Sequence, residues 1–377
     1  MEIGIDASRA FQSEATGIGV YATEVLARLL PQPPAPLRLY LNQRIPPRSA
    51  PELAPGSEWR CLPLARGWTK FRLRWEVQRH PPQLLWIPAY RLPPGRLPRS
   101  VVTVHGVEHR FAPAAYPGGD AEAVESFVTD TLARAARVIT PSETTKADLV
   151  HLYGAEPNRI TVIPHGIAAA LQPIPADRLP ALIEELGSGP PYFLVVGAHH
   201  PRKNVVFLMD QFARAFPPGR SPEVRLVVTN ATGPVGATLR AQAARLELGH
   251  RVQLLGHVSG ERLAALYSGA VAACVPSLYE GFGLPALEAM ACATPVLANG
   301  VGGVEEVAQG AALLISPGDA EGWVDGLRRL LQEPDWRQHL SGLGLSRAAR
   351  YSWDQSARSH RQLLAEELRL AQASAPA

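Results

Sequence analysis

Residues 276–288 have the sequence PSLYEGFGLPALE and follow the apolar run Ala270–Val275, a pattern that predicts a turn from a buried strand into a helix. Gly281 and Gly283 allow close backbone approach, and Pro285 suits the first position of a helix. The free amides of such a turn, together with the helix dipole, favour an anion such as a diphosphate. The segment therefore predicts an α/β lobe with an anion site at the carboxyl edge of its sheet.

Two glutamates flank this turn. Glu288 lies about one turn into the predicted helix, and helical side chains lean toward the N-terminus, so its carboxylate is placed to accept hydrogen bonds from ribose hydroxyls. Glu280 precedes the turn and is placed to contact a sugar beyond the phosphates. The alternative is a solvent-exposed capping loop with two surface glutamates. The ordered combination of strand end, Glu, Gly-x-Gly, Pro and Glu favours the binding site.

The same alternation of short apolar runs and amphipathic segments extends along the whole chain of 377 residues. It is typical of βαβ units and parallel sheets, and the length fits two α/β lobes with a ligand in the cleft between them. The predicted lobes are 1–170 and 191–355, joined by a linker at 171–190. A last helical stretch, 356–377, has no sheet partner and is predicted to return to the first lobe.

The predicted strands are Ile3–Ile5, Leu37–Leu41, Leu84–Ile87, Val101–Val104, Val138–Thr140, Ile160–Ile163, Tyr192–Val196, Val224–Thr229, Val252–Leu255, Ala270–Val275, Thr294–Leu297 and Ala312–Ile315. The predicted helices are Gly19–Leu30, Lys70–Arg79, Ala121–Arg134, Glu143–Leu152, Asn204–Phe216, Ala237–Leu248, Gly260–Tyr267, Pro285–Ala293, Val304–Ala308, Ala320–Leu331 and Asp354–Leu370.

The composition argues against a nucleic-acid-binding protein and against a secreted one. A net charge of +3 is too small to argue for nucleic acid as a partner. Three cysteines without close pairing fit a reducing compartment. No signal peptide and no membrane-spanning run is recognised, so the expected location is the cytoplasm, with the inner membrane surface as an alternative.

A basic turn, Arg202-Lys203, follows the predicted strand Tyr192–Val196. Basic side chains at a strand end suit the anion, such as a diphosphate, that the turn at 281–284 favours. The alternative, a solvated surface turn, is less favoured beside Glu280 and Glu288. No D-x-D sequence occurs and the histidines lack metal-ligand spacing, so no metal site is predicted.

At these residues the chain resembles the family 4 retaining glycosyltransferases of GT-B fold, because Glu280 and Glu288 match their E-x7-E signature. Thr16-Gly17-Ile18-Gly19 is similar to their glycine loop, Val138–Tyr153 to a helix-starting segment, and Ile160–Gly166 to the strand before the hinge. The resemblance implies two Rossmann-like lobes facing across a cleft. It also implies α-retaining transfer from a nucleotide-linked sugar by front-face displacement, without an essential metal.

The resemblance also implies roles for individual residues. The donor-binding residues are predicted to be Gly17, Gly19, Arg202, Lys203, Gly281, Phe282, Gly283, Leu284 and Glu288. The residues predicted to act in catalysis are His105, Arg202, Lys203 and Glu280. The chain departs from the family at Ala198, where many relatives carry arginine, and at Gly106, where aspartate often follows the histidine.

Two motifs have competing interpretations. Gly17-x-Gly-x-x-Ala22 matches the redox dinucleotide fingerprint, but it begins eleven residues after Asp6 and the next strand ends in Asn42 rather than an acidic residue. The segment 66–79 mixes basic and aromatic residues. Core packing of Phe71, Leu73 and Trp75 with solvated arginines is the first interpretation, and contact with a membrane surface or a lipid pyrophosphate is the second.

The sequence thus predicts a metal-independent retaining glycosyltransferase without cofactor. Its donor would be a GDP- or UDP-linked hexose of mannose or glucose type, and its acceptor a glycan or a lipid-linked glycan. Alternatives are a GT-B sugar-nucleotide epimerase or hydrolase, which needs no acceptor, and a non-catalytic nucleotide- or glycan-binding relative.

Overall fold

A computed structural model describes residues 2–12, 17–64, 66–89, 91–116, 118–185, 187, 189, 191–217 and 223–373. The chain divides into two compact units. Unit 1 consists of Met1–His109, Tyr116–Gly166 and Ser352–Ala377, and unit 2 consists of Arg110–Ala115 and Ile167–Tyr351. Thr16 of the glycine loop and residues 186, 188 and 190 of the predicted linker lie outside the described residues.

The described part of unit 1 contains a seven-stranded parallel sheet. Its strands are β1 (Ile3–Asp6), β2 (Leu37–Leu41), β3 (Glu58–Cys61), β4 (Leu84–Ile87), β5 (Arg99–Thr103), β6 (Arg137–Thr140) and β7 (Ile160–Val162). The strand order is β3-β2-β1-β4-β5-β6-β7, so the direction of winding reverses between β1 and β4. Such a switch point leaves a crevice outside the carboxyl ends of the strands.

The described part of unit 2 contains a second parallel sheet, with six strands. They are β8 (Tyr192–Val195), β9 (Arg225–Val228), β10 (Val252–Leu254), β11 (Ala272–Val275), β12 (Val296–Asn299) and β13 (Leu313–Ile315). The order β10-β9-β8-β11-β12-β13 is that of a dinucleotide-binding Rossmann sheet, and Ala272 pairs with Phe193 across the switch point. The loops after β8 and β11 therefore flank the position where this fold class binds ligands.

The helices, in chain order, are α1 (Gly17–Leu29), α2 (Arg74–Arg79), α3 (Glu108–Phe111), α4 (Asp120–Arg134), α5 (Glu143–Tyr153), α6 (Leu179–Glu185), α7 (Val205–Ala215), α8 (Gly233–Arg245), α9 (Gly260–Gly269), α10 (Leu284–Ala291), α11 (Gly302–Ala308), α12 (Ala320–Gln332), α13 (Pro334–Ala348) and α14 (Trp353–Ala373). A π-helical turn, Thr69–Leu73, leads directly into α2. Among the described residues, no helix is both long and apolar enough to cross a membrane.

Alternating side chains of β8 pack on opposite faces of the unit 2 sheet. Tyr192 and Leu194 belong to one apolar cluster, whereas Phe193 and Val195 belong to another. Helices therefore cover both faces, as expected where every strand is buried on both sides. This packing fixes the sheet and leaves its carboxyl-edge loops to carry chemistry.

Helix α14 packs within unit 1, against α1. The Tyr21 hydroxyl of α1 lies 2.6 Å from His360 Nε2, and Arg28 Nε lies 2.6 Å from Asp354 Oδ1. Gly166 makes this docking sterically feasible, because a Cβ there would lie 2.0 Å from the backbone nitrogen of Trp353. The last helix thus completes the first unit although unit 2 intervenes in sequence.

Several elements differ from the sequence prediction. Strand β3 and helices α3, α6 and α13 were not predicted, and α1 begins at Gly17 rather than Gly19. In β3 the residues are only partly buried and its segment is flanked by prolines, so the periodic apolar signal is weak. In α13 the apolar residues are scattered around the helix, which removes the amphipathic pattern that sequence analysis uses.

Candidate active site

The loops after β8 and β11 meet at the carboxyl edge of the unit 2 sheet. The amide of Leu278 donates a hydrogen bond of 2.9 Å to the carbonyl oxygen of Arg202, which joins the two loops directly. Lys203 ends a 3₁₀ turn, Pro201–Lys203, and is 6% exposed. The switch point therefore holds a buried lysine beside the turn that contains Glu280.

Glu280 binds both basic residues of the other loop. Its Oε1 accepts from the ammonium of Lys203 and, at 2.7 Å, from the hydroxyl of Ser277, and its Oε2 accepts from Arg202 Nη1 at 2.9 Å. Arg202 Nη1 also donates to the carbonyl oxygen of Tyr279 at 3.0 Å. Because Glu280 is only 6% exposed, these contacts form a buried ionic network of two cations and one anion.

The charge of Glu280 is set by its neighbours. Burial alone raises the pKa of a carboxyl group, but the positive charges of Arg202 and Lys203, with hydrogen bonds from Lys203 and Ser277, outweigh it and hold the pKa well below its ordinary value. Glu280 is therefore ionised at any physiological pH. The network carries a net positive charge, which suits it to an additional anion.

The Gly-x-Gly turn, Gly281–Gly283, packs against the first residues of helix α11. Gly283 has φ +98°, in the left-handed region, and a Cβ there would lie 3.0 Å from Val304 Cγ2. The amide of Gly303 donates to the carbonyl oxygen of Glu280 at 2.8 Å, and a Cβ on Gly302 would lie 2.3 Å from that oxygen. The turn after Glu280 thus rests on the backbone of α11, and α10 begins immediately beyond it at Leu284.

Asn299, at the end of β12, hydrogen-bonds to the backbone of the loop before Glu280. Its Nδ2 donates to the carbonyl oxygens of Pro276 and Ser277, at 2.8 and 3.1 Å, while its Oδ1 accepts from Trp323 Nε1 at 2.9 Å. Asn299 and Trp323 are buried. These bonds fix the backbone from which Ser277 and Glu280 project.

Glu288 lies one turn into α10 and is partly buried. The hydroxyl of the buried Tyr267 donates to its Oε2 at 2.9 Å. Burial raises the pKa of Glu288 to about 7, although the Tyr267 hydrogen bond and the charge of Lys203 act in the opposite direction. Glu288 therefore changes its ionisation near neutral pH, in contrast to Glu280.

The carboxyl edge of the unit 1 sheet holds a cluster of neutral rings. His105 Nε2 lies 2.9 Å from the carbonyl oxygen of Pro88, and its ring centroid is 4.7 Å from that of Tyr21. His165 and His360 lie 4.9 and 5.5 Å from the same tyrosine ring. Burial lowers the pKa of all three histidines, to about 4 for His360.

The tautomer of His360 follows from its partners. Its Nδ1 lies 2.8 Å from the carbonyl oxygen of Ser356, which can only accept, so Nδ1 carries the proton. Its Nε2 then accepts from the Tyr21 hydroxyl. His105, which is partly buried, bonds to Pro88 and contacts the Tyr21 and His165 rings without joining this hydrogen-bonded pair, and its catalytic role stays a prediction.

The structure brings together part of the predicted site. Arg202, Lys203 and Glu280 form one network, and Gly281, Phe282, Gly283 and Leu284 continue from it into α10, where Glu288 lies. Gly17 and Gly19 are in unit 1, where they form the first turn of α1 rather than a loop preceding it. The helix thus begins two residues earlier than predicted, and the donor-binding role of Gly17 and Gly19 stays a prediction.

Sequence analysis missed four supporting features: Ser277, Tyr267, Asn299 and the pair Gly302-Gly303. The glycines had a signal, because Gly300-Val301-Gly302-Gly303 follows a buried strand as Gly281–Gly283 does. Tyr267 and Asn299 had none, since each acts through a contact with a residue more than twenty positions away. Ser277 lies only three residues before Glu280, but no periodic pattern marks its hydroxyl as a partner of that carboxylate. Within the described residues, no three His, Cys, Asp or Glu side chains are grouped so that they could hold a metal.

Comparison with known proteins agrees with this geometry. The family model described as "Glycosyl transferases group 1" matches residues 182–343, which contain the ionic network. The model described as "Glycosyltransferase Family 4" matches residues 20–171. The chain belongs to the group 1 glycosyl transferases. Between them the two matches cover most of both units of this glycosyltransferase, so the family assignment made from Glu280 and Glu288 is confirmed.

Curated relatives include two activities. The O-antigen chain mannosyltransferase B of Escherichia coli is 28% identical over 284 residues, 75% of this chain and 74% of that protein. The D-inositol 3-phosphate glycosyltransferase of Frankia alni is 34% identical over 239 residues, 61% of this chain and 58% of that protein. The matched region thus spans less than two thirds of the inositol-phosphate enzyme.

Solved structures share the fold. Sucrose-phosphate synthase from Thermosynechococcus elongatus has a TM-score of 0.77 at 22% identity and covers 99% of this chain and 100% of its own. Anabaena HepE in complex with UDP-glucose has a TM-score of 0.74 at 17% identity, covering 97% of this chain and 100% of its own. WaaG, a glycosyltransferase of lipopolysaccharide biosynthesis, has a TM-score of 0.75 at 16% identity over 96% of this chain and 99% of its own. The predicted fold, two Rossmann-like lobes with parallel sheets, is confirmed.

Proposed function

We propose that this glycosyltransferase moves a hexose from a nucleoside-diphosphate sugar to a hydroxyl of a glycan or lipid-linked acceptor, with retention of the anomeric configuration. The observation that carries the proposal is the Arg202–Glu280–Lys203 network beside the N-terminus of α10. Its net positive charge and the helix dipole suit a diphosphate. The mannosyltransferase relative favours mannose and the UDP-glucose complex of HepE favours UDP-linked glucose, and the proposed donor is a mannose- or glucose-type hexose linked to GDP or UDP.

Each group of the site has a proposed role. Lys203, Arg202 and the amides of Gly281–Leu284 hold the diphosphate, and Glu288 accepts hydrogen bonds from the ribose hydroxyls. Glu280 contacts the transferred sugar and, in the free protein, neutralises part of the charge of both cations. Since both its oxygens are already bonded, Glu280 orients the cations rather than acting as a nucleophile.

The reaction then proceeds on one face of the sugar. The bond between the anomeric carbon and the diphosphate oxygen breaks, a bond to the acceptor oxygen forms on the same face, and the acceptor proton passes to the departing diphosphate. Negative charge grows on the diphosphate as the bond breaks, so the cations stabilise the transition state more than the bound donor. This chemistry is proposed to need neither a cofactor nor a metal.

A donor screen tests the proposal. Thermal unfolding is measured with UDP-, GDP- and ADP-linked glucose and mannose, and we expect one nucleotide class to raise the unfolding temperature by mass action. With that donor, product is followed against simple and lipid-linked glycan acceptors, and its anomeric configuration is read by NMR. An inverted product would contradict the front-face route.

Controls separate the alternatives. Donor consumed at the same rate without acceptor would indicate an epimerase or hydrolase, and donor binding without turnover would indicate a non-catalytic relative. Turnover should survive EDTA. Loss of activity on chelation, restored by Mg²⁺ or Mn²⁺, would contradict the metal-free reaction.

A further inference from the structure

The helical segment 66–79 of unit 1 has one face fixed in the core. Trp68, Leu73 and Val77 are buried in a single apolar cluster, and Trp68 Nε1 donates to the carbonyl oxygen of Leu62 at 2.8 Å. These contacts determine which side of the π-helical turn and α2 faces solvent. The orientation of the opposite side chains is therefore not arbitrary.

Two large aromatic side chains occupy the outer side. Phe71 is 60% exposed and Trp75 is 50% exposed, four positions apart, so they share one face. Phe71 lies over Gly67, where a Cβ would come within 2.8 Å of its ring. The prediction that Phe71 and Trp75 pack in the core was wrong, because Trp68 fills that position together with Leu73.

Cations surround the two rings. Lys70 Nζ lies 5.4 Å from the Phe71 ring centroid, and the guanidinium carbons of Arg72 and Arg79 lie 5.2 and 5.8 Å from the Trp75 ring. The carboxylate of this segment, Glu76, is instead buried and paired with Arg60 Nε at 2.8 Å. The outer face is thus aromatic and cationic without a compensating acid of its own.

We propose that this basic–aromatic face, formed by Lys70, Phe71, Arg72, Trp75 and Arg79, binds the surface of an anionic lipid bilayer. Amphipathic rings such as indole are stable at the boundary between headgroups and acyl chains, and the cations are attracted to anionic headgroups. The charge complementarity identifies the occupant. A protein partner would need a strongly acidic patch, and a neutral apolar partner would leave the cations buried.

The experiment is co-sedimentation of the full chain with vesicles. One set contains phosphatidylcholine alone, and the other contains equal amounts of phosphatidylcholine and phosphatidylglycerol. The test variants are Phe71→Ser/Trp75→Ser and Arg72→Glu/Arg79→Glu. The matched control is Trp336→Ser, since Arg329 stacks on that ring at 3.8 Å beside Glu333. Circular dichroism and thermal unfolding check that each variant folds.

We expect wild type and the Trp336→Ser variant to sediment with phosphatidylglycerol vesicles, and binding to weaken as salt rises. Each double variant should lower the partition coefficient by at least about tenfold, because one removes both aromatic rings that enter the interface and the other reverses two charges attracted to the anionic headgroups. Nucleotide binding, which belongs to unit 2, should be unchanged.

Three results would overturn the proposal. The first is wild-type protein that stays in the supernatant with phosphatidylglycerol vesicles at low salt. The second is a Phe71→Ser/Trp75→Ser variant that binds vesicles as wild type does. The third is self-association, seen by sedimentation velocity and abolished by the same variant, without any vesicle binding.

Discussion

The two sheets of this protein have buried polar groups at equivalent carboxyl edges, but the two edges differ in charge. In unit 1, His105, His165 and His360 are kept neutral around the Tyr21 ring. In unit 2, Glu280 is kept ionised between Arg202 and Lys203. Burial acts on both edges, and the difference lies in whether a counter-charge is within hydrogen-bond distance.

The carboxyl edges of the two sheets are therefore stabilised in different ways. A buried charge must be paired, so the unit 2 edge is held together by ionic contacts, which under the proposed function are exchanged for those of a diphosphate. A buried neutral ring needs only hydrogen bonds, so the unit 1 edge requires no counter-charge. The predictions below remove the charge from one edge or add it to the other.

The largest effect should come from Lys203→Ala. We expect kcat to fall roughly a hundred-fold, as when one preorganised donor to a developing anion is removed, with a smaller change in donor Kd. Steady-state kinetics and calorimetry measure the two quantities. Arg202→Ala is the matched control and should cost less, unless Arg202 replaces the arginine absent at Ala198. A folded Lys203→Ala variant with wild-type kcat would assign the leaving-group cation elsewhere.

Acid should charge the neutral edge of unit 1. The folded-state pKa of His360, about 4, lies below the ordinary value of 6.5, so its stabilising contribution is complete above pH 6.5 and is lost as pH falls toward 4. Between these values the free energy of unfolding should drop by about 2.5 kcal/mol for this histidine alone. Denaturant unfolding followed by tryptophan fluorescence reports it, because Trp86 contacts the His360 ring.

Two histidine variants, one at the buried His360 and one at an exposed position, test whether His360 causes this pH dependence. His360→Gln should flatten the pH dependence, leaving the part due to His105 and His165. His151→Gln, at an exposed position of α5, should not change it. Equal slopes in wild type and His360→Gln would mean that another group titrates.

Glu280→Gln should move affinity and turnover in opposite directions. Without the carboxylate, the two cations lose their partner, so the free nucleoside diphosphate should bind about tenfold more tightly while kcat falls. The variant should also be less stable when free, because its cations are left buried, and the diphosphate should restore stability. Ser277→Ala, which removes one hydrogen bond to Glu280, is the control. Weaker diphosphate binding would show that Glu280 does not compete for the cations.

The smallest effect concerns Glu288. Its pKa of about 7 means that the carboxylate forms as pH rises, so nucleotide affinity should increase about threefold between about pH 6.5 and 7.5. Glu288→Gln should abolish this dependence and weaken binding. Tyr267→Phe removes a hydrogen bond that lowers the pKa, and should move the midpoint upward by about half a unit. A pH-independent affinity in wild type would remove Glu288 from the ribose role.

Most strands could be predicted from the sequence because they are short apolar runs. Strands such as β4 and β11 are buried along their whole length and read as short apolar runs between turn residues. Strand β3 lies at the sheet edge and is only partly buried, so its sequence carries no comparable pattern. The other edge strands, β7, β10 and β13, were predicted because each has a short apolar run, so the weak apolar pattern of β3 rather than its edge position explains the failure.

The candidate site was predictable where one segment carries it. Glu280, the Gly-x-Gly turn and Glu288 lie within nine residues, and their order already specifies the geometry. The pairing of Glu280 with both Arg202 and Lys203 could not be read in the same way, because 77 positions separate Lys203 from Glu280. The same holds for Phe71 and Trp75, whose exposure depends on Trp68 occupying the core.

Gly166 has a consequence for the chain's construction. The chain leaves unit 1 at Gly166 and re-enters it at Ser352, and the absence of a side chain at Gly166 lets these two points touch. Residues 167–351 therefore form a long insert whose two ends lie side by side in unit 1, whereas the other segment of unit 2, Arg110–Ala115, branches from unit 1 elsewhere. A short bridge from residue 166 to residue 352 would leave the first sheet and α14 connected, and the excised segment retains the complete Arg202–Glu280–Lys203 network. The proposed donor-binding network and the scaffold that carries α14 are thus encoded by different stretches of the chain.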